Sequence, residues 1–97
     1  MTIRKLAEMP YAQAHVEIDT TGDIYFFSYV TLVCVLTADK KFRCTGTYSK
    51  TTKKQINAFG KEYVTWPNGD HLTWRDAEAC YLGNYWLNIE TGEIEDI

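Results

Sequence analysis

The stretch from Ile24 to Leu36, Ile-Tyr-Phe-Phe-Ser-Tyr-Val-Thr-Leu-Val-Cys-Val-Leu, limits what this chain can fold into more than any other segment. No glycine, proline or charged residue interrupts it, and β-branched and aromatic types dominate. Such side chains lose χ1 freedom in a helix and pack well on a pleated surface. The run therefore predicts one long strand, apolar on both faces, near the centre of a sheet. Thr20-Thr21-Gly22-Asp23 before it reads as a turn, and the weakly alternating Ala14 to Ile18 would pair across that turn as a first strand.

Thr37-Ala38-Asp39-Lys40-Lys41 is a polar loop of hairpin length, and Phe42 to Tyr48 then alternates. Setting Leu36 opposite Phe42 places Cys34 opposite Cys44, Leu32 opposite Gly46 and Val30 opposite Tyr48, which makes one face wholly apolar. The other face gathers Tyr25, Phe27, Tyr29, Thr31, Val33 and Val35 beside Arg43, Thr45 and Thr47. A helix is expected next. Thr52 with Gln55 fits a capping box, Ser49 or Thr51 could equally be the cap, and Ile56, Phe59 and Tyr63 share a stripe with Gly60 as a stop or bend. Trp66 to Asp70 reads as a turn. Thr73 to Leu82 reads as a short second helix with Thr73 and Asp76 as its capping pair, and Tyr85 to Ile97 as a closing hairpin turning at Glu90-Thr91-Gly92-Glu93. The pattern is a single α+β domain over 1–97, a small antiparallel sheet of about four to five strands packed against one longer and one short helix.

Little in the sequence points to catalysis. His15 and His71 are the available imidazoles; His71 could approach Cys80, but a nucleophile also needs an orienting partner. Cys34, Cys44 and Cys80 form no closely spaced pair of the kind structural zinc sites use, and the glycines are scattered singly, with no phosphate loop. The reading is a protein that is not an enzyme and needs no metal or cofactor. An odd number of cysteines, no export signal and no run of about 18 apolar residues predict a cytoplasmic location without a membrane span.

Two surfaces remain as binding candidates. From Lys40 to Lys61 the chain has basic residues and no acidic one, and Lys41, Arg43, Lys50, Lys53 and Lys54 could contact nucleic-acid phosphates. The row Tyr25, Phe27 and Tyr29 has the makeup of a protein-binding hot spot if no other element covers it; if one does, the row is a second core layer. Glu90, Glu93, Glu95 and Asp96 concentrate acidic charge near the C-terminus. An exposed edge of the long strand could also support a homodimer, with a monomer as the alternative.

Ser28-Tyr29-Val30-Thr31 followed by Tyr48-Ser49-Lys50-Thr51-Thr52-Lys53-Lys54-Gln55-Ile56-Asn57 resembles a family of small uncharacterised proteins of bacteriophages and mobile elements. Their pattern is a Ser-Tyr-x-Thr strand, a hairpin, then Tyr-Ser-x-Thr-Thr-x-Lys-His-Ile-Asn opening a helix. The similarity covers residues 24 to 59 and departs at Gln55, where histidine is frequent, so no role of that imidazole carries over. The resemblance implies a phage origin and a setting in the host bacterial cytoplasm. By analogy with small acidic phage proteins, it implies a protein that inhibits a host defence or nucleic-acid-handling complex by direct binding, as anti-CRISPR proteins do. Glu90, Glu93, Glu95 and Asp96 would then imitate phosphates in a basic groove. The partner would be a host protein or ribonucleoprotein. The alternative is a nucleic-acid-binding accessory protein using the basic 40–61 segment.

Overall fold

The computed structural model describes residues 1–47 and 49–96. Seven strands, β1 (Thr2–Arg4), β2 (Ala14–Ile18), β3 (Ile24–Ser28), β4 (Thr31–Leu36), β5 (Lys41–Cys44), β6 (Tyr85–Asn88) and β7 (Ile94–Asp96), form one antiparallel sheet in the order of the sequence. Two helices, α1 (Lys50–Tyr63) and α2 (Trp74–Gly83), are inserted between the neighbouring strands β5 and β6. The α+β class holds, with seven strands where four to five were expected.

Both extra strands have a physical reason. β1 is three exposed residues too short to carry a periodic signal, and it exists through its pairing of Ile3 with Glu17 on β2. The expected long strand is instead a hairpin, β3 and β4, joined by Tyr29 and Val30 with Ser28 opposite Thr31. Tyr29 takes a positive φ of 56°, a conformation that costs an L-residue about 1–2 kcal/mol and usually selects Gly or Asn. Its N–H donates to the Gln13 carbonyl at 2.6 Å, which helps hold the turn. Tyr29→Asn is accordingly expected to stabilise the fold by about 0.5–1 kcal/mol, read as a rise of several degrees in Tm.

The register predicted around the β4–β5 loop is correct at its near end, where Cys34 faces Cys44 and Leu36 faces Phe42. Further out the expected Leu32–Gly46 pair is missing, because β5 ends at Cys44 and β4 shifts against β3, with Phe26 facing Cys34 but Phe27 facing Leu32. Val33 is the extra residue of a β-bulge, and both Val33 and Cys34 turn into the core. Leu32 moves to the other face, opposite to its expected placement, and Gly46 lies beyond the end of β5. The expected Val30–Tyr48 pair and the return of the closing hairpin to Ile97 involve positions outside the described residues; Val30 itself is in the turn.

One face of the sheet is the core. Val16, Phe26, Leu36, Phe42, Cys44 and Leu87 are buried there against Ile56, Phe59, Ala77 and Cys80 of the helices. Ser49 is the N-cap of α1, its hydroxyl accepting from Thr52 N–H at 3.2 Å, so of the three possible caps the sequence chose Ser49. Gln55 closes no capping box; it is buried and accepts from the Ser28 hydroxyl at 2.6 Å. Gly60 does not stop α1, which continues to Tyr63. α2 begins on the expected Thr73–Asp76 box, with Thr73 N–H donating to the Asp76 carboxylate at 3.0 Å. The turn from Trp66 to Asp70 also forms, with Trp66 N–H donating to the Asp70 carbonyl at 2.7 Å.

Candidate functional site

Because both helices pack on one face, the strands alternate between fully buried residues and half-buried ones on the other side. Among the described residues no helix lies over that second face. Antiparallel register then sets a row across all seven strands: Ile3, Glu17, Tyr25, Val35, Arg43, Trp86 and Glu95. The Arg43–Trp86 step is fixed by the pairing of Phe42 with Leu87 and by the guanidinium lying over the indole at 5.9 Å. A second row runs beside it, His15, Phe27 and Leu32. His15 stacks flat on Phe27 at 4.9 Å, and its Nε2 lies 2.8 Å from the Glu17 carboxylate. These contacts hold the rings upright in a shared layer, which is why they are half-buried without any covering element.

Tyr25 and Phe27 therefore stand half-buried on a sheet face that no helix covers among the described residues, the first of the two alternatives for this row. Tyr29 leaves the row. It sits in the β3–β4 turn, 65 % exposed beside Val30 at 94 %. Trp86, on β6 between Arg43 and Glu95, adds another ring to the face. The alternation of Tyr85, Leu87 and Ile89 already placed Trp86 on the opposite side of its strand, so parity was the signal that could have found it.

The acidic residues do not form one patch. Glu90 and Glu93 lie in the segment between β6 and β7, Glu95 is on the open face, and Asp96 shares the helix side with Tyr85. Glu95 pairs with Lys41 at 3.0 Å, and that carboxylate raises the Lys41 ammonium above its ordinary value.

The basic residues divide in the same way. Lys41 and Arg43 belong to the open face. Lys50, Lys53 and Lys54 are on α1 at the spacing that shares one helix face, and with Asn57 and Trp74 they line a depression of about 310 Å³. Trp74, the first residue of α2, has the Lys53 ammonium 4.2 Å from its ring centroid and the Arg75 guanidinium at 5.5 Å. Lys53 also lies 3.7 Å from Glu78. The sequence singled out the lysines and missed the tryptophan between the cations.

Described residues of the Ser-Tyr-x-Thr segment and of the start of α1 come together. Ser28, Tyr29, Thr31, Ser49 and Thr52 line a hollow of about 240 Å³, below the size of usual small-molecule sites. Ser28 bonded to Gln55 and Ser49 capping α1 account for much of the pattern as a tie between the β3–β4 turn and the helix. His71 is not placed against Cys80: its Nδ1 lies 2.9 Å from the Leu72 carbonyl. Burial pushes the Cys80 thiol up to about 12 and holds Cys34 well above the usual thiol range, while the hydrogen bond from Cys34 draws Cys44 the other way. All three cysteines are free and buried. Among the described residues no cluster of His, Cys, Asp or Glu could hold a metal ion, and no helix is long and apolar enough to cross a membrane.

No curated protein and no solved structure matches the chain. A family model does, over residues 3–70, which span β1 to β5, α1 and the turn after it and stop short of α2, β6 and β7. The chain belongs to that family, described as a family of unknown function, DUF8033.

Proposed function

We propose that the protein is a binding module that grips a protein surface with the open face of its sheet and acts by occluding that partner. The observation that carries this reading is the uncovered row from Ile3 to Glu95, which sets Tyr25, Val35, Arg43 and Trp86 on four successive strands. Trp, Tyr and Arg are the residue types that dominate binding energy at protein interfaces. The charges of the face support a protein partner over nucleic acid. Glu17, Asp19 and Glu95 stand against Lys41 and Arg43, whereas a surface that follows a phosphate backbone needs an excess of positive charge. In the phage setting that the sequence resemblance implies, the partner would be a host defence or nucleic-acid-handling complex, and the protein its inhibitor.

The test is a capture comparison from host lysate with the immobilised chain. A specific partner should be retained by the wild type and by Glu90→Lys/Glu93→Lys, and lost with Arg43→Glu or Trp86→Ala. Removing one such anchor is expected to weaken the complex by about 2 kcal/mol or more. Retention by all variants would remove the sheet face from consideration. A loss confined to the Glu90/Glu93 variant would transfer the role to the acidic turn.

A second reading rests on Trp74 among Lys50, Lys53, Lys54 and Arg75, a cationic patch with an aromatic ring on which a base could stack. It predicts a gel shift with single-stranded nucleic acid that weakens steeply with salt and is lost in Lys53→Glu/Lys54→Glu. The absence of a shift at low salt would dismiss it.

A further inference from the structure

The open face has a symmetry that its sequence order does not suggest. Its central pair is Tyr25 on β3 and Val35 on β4. Moving outward in the same row, one side presents Glu17 and then Ile3, and the other presents Arg43 and then Trp86. Over these six strands each step outward matches apolar with apolar or acid with base, and Glu95 of β7 has no strand opposite it. The next row has Phe27 opposite Leu32 at its centre. At the other end of the strands Asp19 and Asp23 flank one side, Thr37 and Lys41 the other; the Tyr25 hydroxyl donates to Asp19 at 3.4 Å, which places that carboxylate on the open face. The β2–β3 half is thus acidic and β5 supplies Arg43 and Lys41, of which Lys41 is already paired with Glu95 of its own chain and has Asp39 nearby.

We infer that the partner this face fits is a second copy of the chain. This rests on the reading that the face is a protein-binding surface. A two-fold axis in the plane of the face, parallel to the strands and between β3 and β4, lays β2 of one protomer over β5 of its partner. Tyr25 then meets Val35, Glu17 meets Arg43, and the exposed Ile3 meets Trp86, with every contact made twice, as isologous pairing requires. Packed sheets keep their strands within about 30° of each other, so near the axis the rows stay in step. Within one chain Glu17 and Arg43 are three strand spacings apart, about 14 Å, and cannot pair with each other. Strands of four to six residues spaced at about 4.8 Å bury roughly 1,000 Å² over both faces, the low end for a specific interface. The dimer is therefore a weak one, forming at micromolar concentration and open to displacement by a tighter partner.

Charge reversal tests this directly, because it predicts a pairing. Sedimentation equilibrium of the full chain should show a monomer–dimer equilibrium. Glu17→Arg alone and Arg43→Glu alone should each weaken it about tenfold or more, since each sets like charges against each other twice. Glu17→Arg combined with Arg43→Glu should restore the dimer to within about threefold of wild type, because the exchanged charges meet again. Circular dichroism and thermal melts of the three variants verify that each is folded. A chain that stays monomeric at several hundred micromolar overturns the inference. So does a dimer indifferent to the single reversals, which would point to strand pairing at the β1 or β7 edge. Loss in the single variants without rescue in the double one also overturns it, because the two side chains then do not face each other. A monomeric chain whose capture of a host protein still depends on Arg43 and Trp86 would remove the second copy and leave the proposed function standing. A charge-rescued dimer with no face-dependent capture would do the reverse.

Discussion

Gly60→Ala is expected to destabilise the protein by about 2–3 kcal/mol, although alanine is the better helix former by about 1 kcal/mol in an exposed helix interior. Gly60 is buried in α1 where the chain leading into α2 crosses it. A Cβ there would lie 2.0 Å from the Leu72 carbonyl oxygen and 2.9 Å from the carbonyl carbon. Both are backbone atoms, so no side chain can rotate away. Leu72 is fixed in turn by its N–H bond to the Val64 carbonyl at 2.9 Å, and Thr73 beside it caps α2. Making room for one methyl group therefore displaces the start of the second helix. Chemical denaturation should show the loss with little change in slope, and Tm should fall by roughly 10 °C or more. Lys61→Ala, one position on and exposed, should leave stability within about 0.5 kcal/mol.

Phe59→Ala should cost more, about 3–5 kcal/mol. Phe59 is fully buried, stacks on Phe26 of β3 at 5.1 Å, and contacts Tyr63 at 5.4 Å. It joins the helix layer to the middle of the sheet, and the cavity left by the ring has strand backbone on one side, which collapses poorly. A domain of this size has a total stability of about 5–15 kcal/mol, so the variant should be largely unfolded at temperatures the wild type tolerates. Phe59→Leu, which keeps most of the volume, should recover more than half of the loss.

Much of the scaffold was legible because local chemistry and tertiary structure agree. The α1 stripe of Ile56, Phe59 and Tyr63, the Thr73–Asp76 box, the Cys34–Cys44 register and the closing hairpin each follow from residues that also serve the core. What could not be read lies where tertiary contacts override propensity. Tyr29 and Val30 turn the chain without any turn residue, Val33 is absorbed by a bulge, and Thr2–Arg4 becomes a strand by pairing with a neighbour. Gln55 looked like half of a cap and is half of a buried hydrogen bond to Ser28. For the site, the aromatic row was visible as a pattern, but its exposure was not, because a covering helix changes nothing in the strand itself. The acidic and basic sets were legible as composition; their division between faces needed the register.

The central claim is that one face of this sheet is uncovered and carries the contacts. Hydroxyl-radical footprinting of the dilute chain, read residue by residue by mass spectrometry, tests it most directly. Tyr25, Phe27 and Trp86 should be modified well above Phe26, Phe42 and Phe59, which are fully buried on the other side of the same sheet and in α1. If Tyr25 and Trp86 are instead as protected as Phe26 and Phe59 in the dilute monomer, that face is packed against the chain itself and the account fails.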